Sequence, residues 1–188
     1  MNLAVVDIEA TALKGDQGFL LCAGIKPLGK PGYVLKLQDS GFGVGRLRID
    51  AKLAALLRDE MEKFDGWITW NGLLYDLPFI DDRLMLGLSN PLERRFARGL
   101  DMMWHAKMGK STFQSARLDW VAKAFQCPFE KTALDLNTWK EAEAEAIGHF
   151  KLGDKAYAYI VKHCLMDLRV TEWVYERLKP RIQNISKR

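Results

Sequence analysis

Four carboxylates stand where acids do chemistry: Asp7 and Glu9 close to the start of the chain, Asp76 near its middle and Asp167 towards its end. Asp7 and Glu9 close an apolar run, Leu3-Ala4-Val5-Val6, and residues two apart on a strand point to the same face. Like charges at the rim of a buried sheet repel through a low effective dielectric, and a bound cation resolves the repulsion. The spacing is equally compatible with Asp7 merely closing the strand while Glu9 stands exposed in the following turn. Asp76 follows an Asn71-Gly72 turn and heads a helical pattern. With Leu77-Pro78 behind it, it also suits an ordinary helix start, where an acid complements the helix dipole. Asp167 comes four residues after His163 in an apolar helical stretch, so both share a helix face. In a packed turn, a metal and a substrate phosphate would supply the partners that buried Asp and His need. On a surface the two would make a common pair worth about a few tenths of a kcal/mol.

Taken together, the acids describe a site for hard cations, since Mg2+ and Mn2+ prefer oxygen ligands. Such ions can neutralise an anionic oxygen and acidify a bound water.

Periodicity shows which elements must hold these acids. Leu3 to Ile8, Phe19 to Ile25 and Tyr33 to Leu37 are strand-like, and the glycine-marked turns between them leave no room for a crossover helix, which predicts an antiparallel meander. Beyond the loop Gly41 to Gly45, Ala51 to Phe64 predicts a helix capped by Asp50, Trp67 to Trp70 a fourth strand, and Asp76 to Leu86 a helix. Gly99 to Met103 predicts a fifth strand and Ser115 to Phe125 a helix capped by Ser115. Thr138 to Phe150 and Asp154 to Leu178 predict two more helices, the last ended by Pro180. The expected architecture is α/β: a mixed sheet of about five strands, the first three antiparallel, flanked by helices. Trp67 and Trp70 are read as sharing one face of the fourth strand and belonging to the core.

A length of 188 residues with 48% hydrophobic content suits a single domain over residues 1–188. The net charge of +4 fits a polyanionic partner without requiring one. Lys107, Lys110, Arg117 and Lys123, with Arg181, Lys187 and Arg188 in the tail, either follow a nucleic-acid backbone or form an ordinary solvated surface. Cys22, Cys127 and Cys164 lack CxxC spacing, which argues against a zinc knuckle and for a reducing interior. No apolar stretch reaches membrane-spanning length, so a soluble, cytoplasmic protein is expected.

Asp7-Ile8-Glu9-Ala10-Thr11, Asn71-Gly72-Leu73-Leu74-Tyr75-Asp76-Leu77-Pro78-Phe79 and His163-Cys164-Leu165-Met166-Asp167 resemble, in order and spacing, the three motifs of the DEDD exonuclease superfamily, whose fold is ribonuclease H-like. The resemblance covers nearly the whole chain. It implies a 3'-5' exonuclease using two Mg2+ or Mn2+ ions on single-stranded DNA or RNA 3' ends. Asp7 would bridge the ions, Glu9 and Asp167 would complete the ion on the nucleophile side, and Asp76 would hold the second through waters. In that superfamily the third motif carries Tyr four residues before its Asp or His five before it, whereas here His163 takes the tyrosine's spacing. The second motif is nearer the tyrosine-type members, and Tyr159 lies too far from Asp167 to serve. His163 would orient or deprotonate the attacking water, or else hydrogen-bond Asp167 as a supporting residue.

The resemblance further implies that Ala10, Thr11 and Leu13 hold the terminal nucleotide through backbone amides and an apolar wedge, with Asn71 and Phe79 contacting it from the second motif. Each of these also fits turn chemistry or core packing. A structure-selective endonuclease of the junction-resolvase type would use the same acids, and a non-catalytic nucleic-acid-binding module is a third reading. The full acid set speaks against the third. Nucleic acid is the expected partner, and, because the chain has no polymerase region, a polymerase or other replication or repair protein would be a separate one.

Overall fold

Along Leu3–Ala10 (β1) the side chains of Ala4, Val6 and Ile8 enter one hydrophobic cluster and those of Leu3 and Val5 another, so the strand must be covered on both faces. In the computed structural model, which describes residues 1–188 except 94, 108–112, 134, 149–153 and 186–188, β1 is the middle of five strands. Leu20–Pro27 (β2) pairs antiparallel with it, and Tyr33–Lys36 (β3) pairs antiparallel with β2. Gly66–Thr69 (β4) runs parallel to β1 on its other side, and Gly99–Asp101 (β5) runs parallel to β4. The order β3-β2-β1-β4-β5, flanked by helices, is the ribonuclease H-like α/β architecture expected from the sequence. β1 runs two residues beyond its expected end, and this carries Glu9 into the sheet, 9% exposed, instead of into an exposed turn.

The helices are Leu37–Ser40 (α1), Ala51–Met61 (α2), Asp76–Leu86 (α3), Arg95–Arg98 (α4), Met102–Lys107 (α5), Leu118–Ala124 (α6), Leu136–Ile147 (α7) and Asp154–Ile185 (α8), with a 3-10 turn at Arg46–Arg48. α2 and α3 close one side of the first cluster through Leu53, Leu57, Leu77 and Ile80. α5 and α6 supply Met102, Leu118 and Val121 to the second. α8 belongs to both clusters: Ile160 and Cys164 join the first, while Leu168, Val170 and Val174 join the second. Asp167 therefore lies where α8 passes from one core to the other.

Several expectations are corrected. Ser115 does not cap α6, which begins at Leu118. Its Oγ accepts from the Arg117 amide at 3.2 Å in the preceding turn. α7 starts two residues earlier than expected because Asp135 caps it, accepting from Asn137 N at 3.1 Å. Its expected end, Phe150, lies outside the described residues. α8 continues through Pro180 to Ile185. Pro180 and Glu176, whose carbonyl loses its donor, are both exposed, so water can take that carbonyl. Trp67 and Trp70 are three positions apart and do not share a face. Trp67 is enclosed in the first cluster, while Trp70 packs against the second.

Asp50 precedes α2 without capping it, because its carboxylate is used elsewhere. It pairs with Arg83 of α3 at 2.5 Å and accepts from the Leu20 amide at 2.7 Å, and Arg83 also donates to the carbonyls of Gly15 and Leu47. Both side chains are essentially inaccessible, so either one left alone would be an uncompensated buried charge. Asp50→Ala is expected to lower unfolding free energy by about 3 kcal/mol or more. Urea titration checks this, and a loss below about 1 kcal/mol would show that the pair is dispensable.

Candidate active site

The acids are brought together by the centre of the sheet and by α8. Asp7 and Glu9 project from the face of β1 that also carries Leu3 and Val5, opposite Gly24 and Cys22 of β2 in register. A Cβ on Gly24 would stand 2.6 Å from Cys164 Sγ and 2.7 Å from Leu168 Cδ1. Only glycine there lets α8 lie close enough to the sheet to bring Asp167 to Asp7. Asp76 is the first residue of α3, and its Oδ1 accepts from the Ile8 amide at 3.3 Å, tying the second motif to β1. The neighbouring Tyr75 hydroxyl donates to Ala12 O at 3.2 Å and so binds the same two segments together.

This concentration of acids has an electrostatic cost. Burial, and then the charges of Asp167 and Asp76, push the Asp7 carboxyl well above the usual range. Glu9 is raised likewise by burial and then by Asp7, Asp167 and Asp76. Burial raises Asp76 to about 7, against the pull of the Ile8 and Asp76 amides. Asp7 Oδ2 and Asp167 Oδ1 are enclosed and have no hydrogen-bond partner among the described residues. Lys131 offsets part of this repulsion: its Nζ lies 2.5 Å from Asp167 Oδ2 and lowers Asp7 and Glu9. Raised carboxyls, two orphaned oxygens and a lysine drawn in among them fit a binding place for a hard divalent cation.

His163 is 7% exposed and stands edge-on to Trp139 at 5.2 Å. Its Nδ1 is 2.6 Å from Thr132 Oγ1, and its Nε2 is 3.8 Å from Asp167 Oδ2. Burial pulls its pKa below the ordinary value, so the ring is neutral at neutral pH. Asp7, Asn71, His163 and Asp167 open onto a cleft of about 1120 Å3, whose other walls include Trp70, Arg117, Lys123, Phe129 and Lys131. At that volume the cleft lies at the upper end of the range for ligand pockets. Asn71 adopts φ 66°, donates its backbone amide to Asp101 Oδ1 at 3.0 Å and keeps a buried side-chain Oδ1 without a partner among the described residues.

The proposed nucleotide contacts fall in different settings. Ala10 ends β1, and Thr11 makes a two-way turn with Phe19, its Oγ1 accepting at 3.1 Å and its amide donating to the carbonyl. Leu13 is 82% exposed just beyond, as an apolar wedge would be, whereas Phe79 is packed in the core against Tyr75. Arg117 and Lys123 reach the cleft. Lys110, Lys187 and Arg188 lie outside the described residues.

Four participants escaped the sequence reading. Asp101 ends β5 and accepts from the amides of Asn71, Leu73, Met103 and Trp104, which fixes the second motif's turn; an acid closing a strand was the available signal. Lys131 and Thr132 belong to a stretch without periodicity and gave none. Cys164 lies inside the third motif, and its Sγ comes within 4.8 Å of donor oxygens of Asp7 and Glu9.

A family model described as the RNase H superfamily matches residues 4–179. Among solved structures, the family B DNA polymerase from the hyperthermophilic archaeon Pyrobaculum calidifontis is similar, with a TM-score of 0.67 and 14% identity over 96% of this chain and 25% of that one. The chain thus spans about a quarter of that polymerase's length, and the likeness is one of fold. No curated protein matches the sequence.

Proposed function

The chain belongs to the RNase H superfamily, and from that premise we propose that it is a metal-dependent 3'-5' exonuclease that hydrolyses phosphodiesters at single-stranded 3' ends. The observation that carries this reading is the pair of orphaned oxygens, Asp7 Oδ2 and Asp167 Oδ1, among carboxyls held above their usual range. Asp7, Glu9, Asp76 and Asp167 would hold two Mg2+ or Mn2+ ions. Bound there, the ions supply neutralisation of phosphate charge and acidification of water.

The chain's own groups do the rest. Lys131 holds Asp167 through Oδ2 and leaves Oδ1 for an ion. His163 accepts the water's proton at Nε2 if Nδ1–H donates to Thr132, the tautomer that leaves Nε2 its lone pair. Trp139 and Thr132 hold the ring in that attitude. Asn71 Oδ1 and the exposed Leu13 bracket the terminal nucleotide, with Ala10 and Thr11 offering backbone. Phe79 acts from the core by positioning Tyr75.

No helix among the described residues is long and apolar enough to cross a membrane. The cytoplasm, and a separate polymerase or repair factor as partner, complete the proposal, supported by the fold of the polymerase neighbour alone. The test is a 3'-end-labelled single strand beside a closed circle, with Mn2+ or EDTA. Release of mononucleotides from the linear strand only, and only with Mn2+, is expected. An opened circle, or no Mn2+-dependent cleavage, would overturn the reading.

A further inference from the structure

Beside the carboxylates that suit a hard cation lies sulfur. Ligand atoms of Asp7, Glu9 and Cys164 all lie within 4.8 Å of one another, and among the described residues it is Cys164, not Cys127, that groups with the acid pair. Cys164 is fully buried, as is Cys22, the β2 residue paired with Glu9, whose thiol is hydrogen-bonded to that of Cys164. Independently of the sulfur, two oxygens call for a cation. One is Oδ2 of Asp7, a residue of the group, without a partner among the described residues. The other is Oδ1 of Asp167, a residue only 8% exposed whose charge raises both acids.

Thiolate is a soft ligand. Zn2+ and Cd2+ accept mixed sulfur and oxygen donors, whereas Mg2+ and Mn2+ keep to oxygen. We propose that Asp7, Glu9 and Cys164 form a capture site for a thiophilic divalent cation, Zn2+ or Cd2+, whose occupancy withdraws Asp7 and Glu9 from the hard-metal centre and so stops cleavage. The effect on cleavage rests on the nuclease reading; the capture itself does not. In the binding step the Cys164 S–H bond breaks, a sulfur–metal bond forms and the proton passes to solvent, with no change of oxidation state. Entry is from the cleft, which Asp7 lines. The competing thiols are Cys127, also on the cleft wall, and Cys22, which as the ligand would keep the band alive in the Cys164 variants.

The experiment titrates the full chain with Cd2+ and follows the ultraviolet sulfur-to-cadmium charge-transfer band together with proton release. Cys164→Ala, Cys164→Ser and Cys127→Ala are compared with the unchanged protein. The band is expected in the unchanged protein, lost in both Cys164 variants and kept in Cys127→Ala. The Zn2+ concentration that halves Mn2+-supported cleavage should rise at least about tenfold in Cys164→Ser, since even outer partners of a metal contribute that much affinity. A band absent from the unchanged protein, surviving in a folded Cys164 variant, or lost in Cys127→Ala overturns the proposal. Cooperative melting shows which variants fold. If neither Cys164 variant does, Asp7→Asn, which leaves the thiol in place, must weaken the band, and an unchanged band overturns the proposal. Should the nuclease reading fail instead, Mn2+ would support no cleavage while the Cys164-dependent band persists.

Discussion

Asp7→Asn is expected to lower Mn2+-dependent cleavage by roughly a thousandfold or more, the scale seen when one member of a catalytic unit is removed, while raising the melting temperature of the metal-free protein. The two effects have one cause. Asp7 is held above its usual range by burial and by Asp167 and Asp76, so its ionised form burdens the folded state near neutral pH. An amide of nearly the same shape removes that charge and relieves Glu9 as well, for which Asp7 is the foremost charged neighbour. It also deletes a donor that a cation needs. For a chain of this size a gain of about 1 kcal/mol appears as a rise of about 2–4 °C. Thermal melts in EDTA and single-turnover cleavage in Mn2+ measure the two quantities. A variant that lost both stability and cleavage would show Asp7 to be a structural acid.

The metal-free protein should also melt higher near pH 5 than near pH 8, the opposite of a protein stabilised by salt-bridged carboxylates. For a carboxyl whose folded value is raised, the native state binds more protons than the unfolded state between the two values, so stability falls as pH rises through that window. Asp76, moving from 3.8 to about 7, contributes a loss of about 1.4 kcal/mol per pH unit across it. Asp7 and Glu9 act in the same direction. His163, lowered by burial, opposes them below its ordinary value near 6.5 as one group against three. Saturating Mn2+ should reverse the trend, because the ion binds only the deprotonated acids and stabilises the fold by mass action. Melting curves from pH 5 to pH 8, with EDTA and with Mn2+, decide it; a rise in stability with pH in EDTA would contradict this burial of the acids together.

The sheet was legible because its signals are local. The short turns around Gly15 and Gly29 allow no crossover, so three antiparallel strands follow, and α3 was placed to the residue by Asn71-Gly72 ahead of Asp76. The same-face reading of Asp7 and Glu9 needed only the two-residue period of a strand. What could not be read depended on contacts distant in sequence. Asp50 looks like a cap until Arg83 arrives from α3 to claim it. Phe79 sits within a motif but is oriented by the core. Lys131 and Thr132 come from an irregular stretch, and nothing local says that one meets Asp167 and the other His163. The shared face assigned to Trp67 and Trp70 came from misapplying the strand's period to residues three apart.

The seam occupied by α8 also orders events in time. The contact of Cys164 with Asp7 O joins residues 157 positions apart, so the first and third motifs meet only after nearly all of the chain is available. Contacts that distant form late, because loop-closure entropy must be overcome before they return any stability. A molecule whose sheet has formed but whose α8 has not docked carries three of the four acids and no enclosed site. The proposed phosphodiester cleavage would thereby be withheld until both cores are complete, and a local opening of α8 from the sheet would abolish it while most of the fold persists.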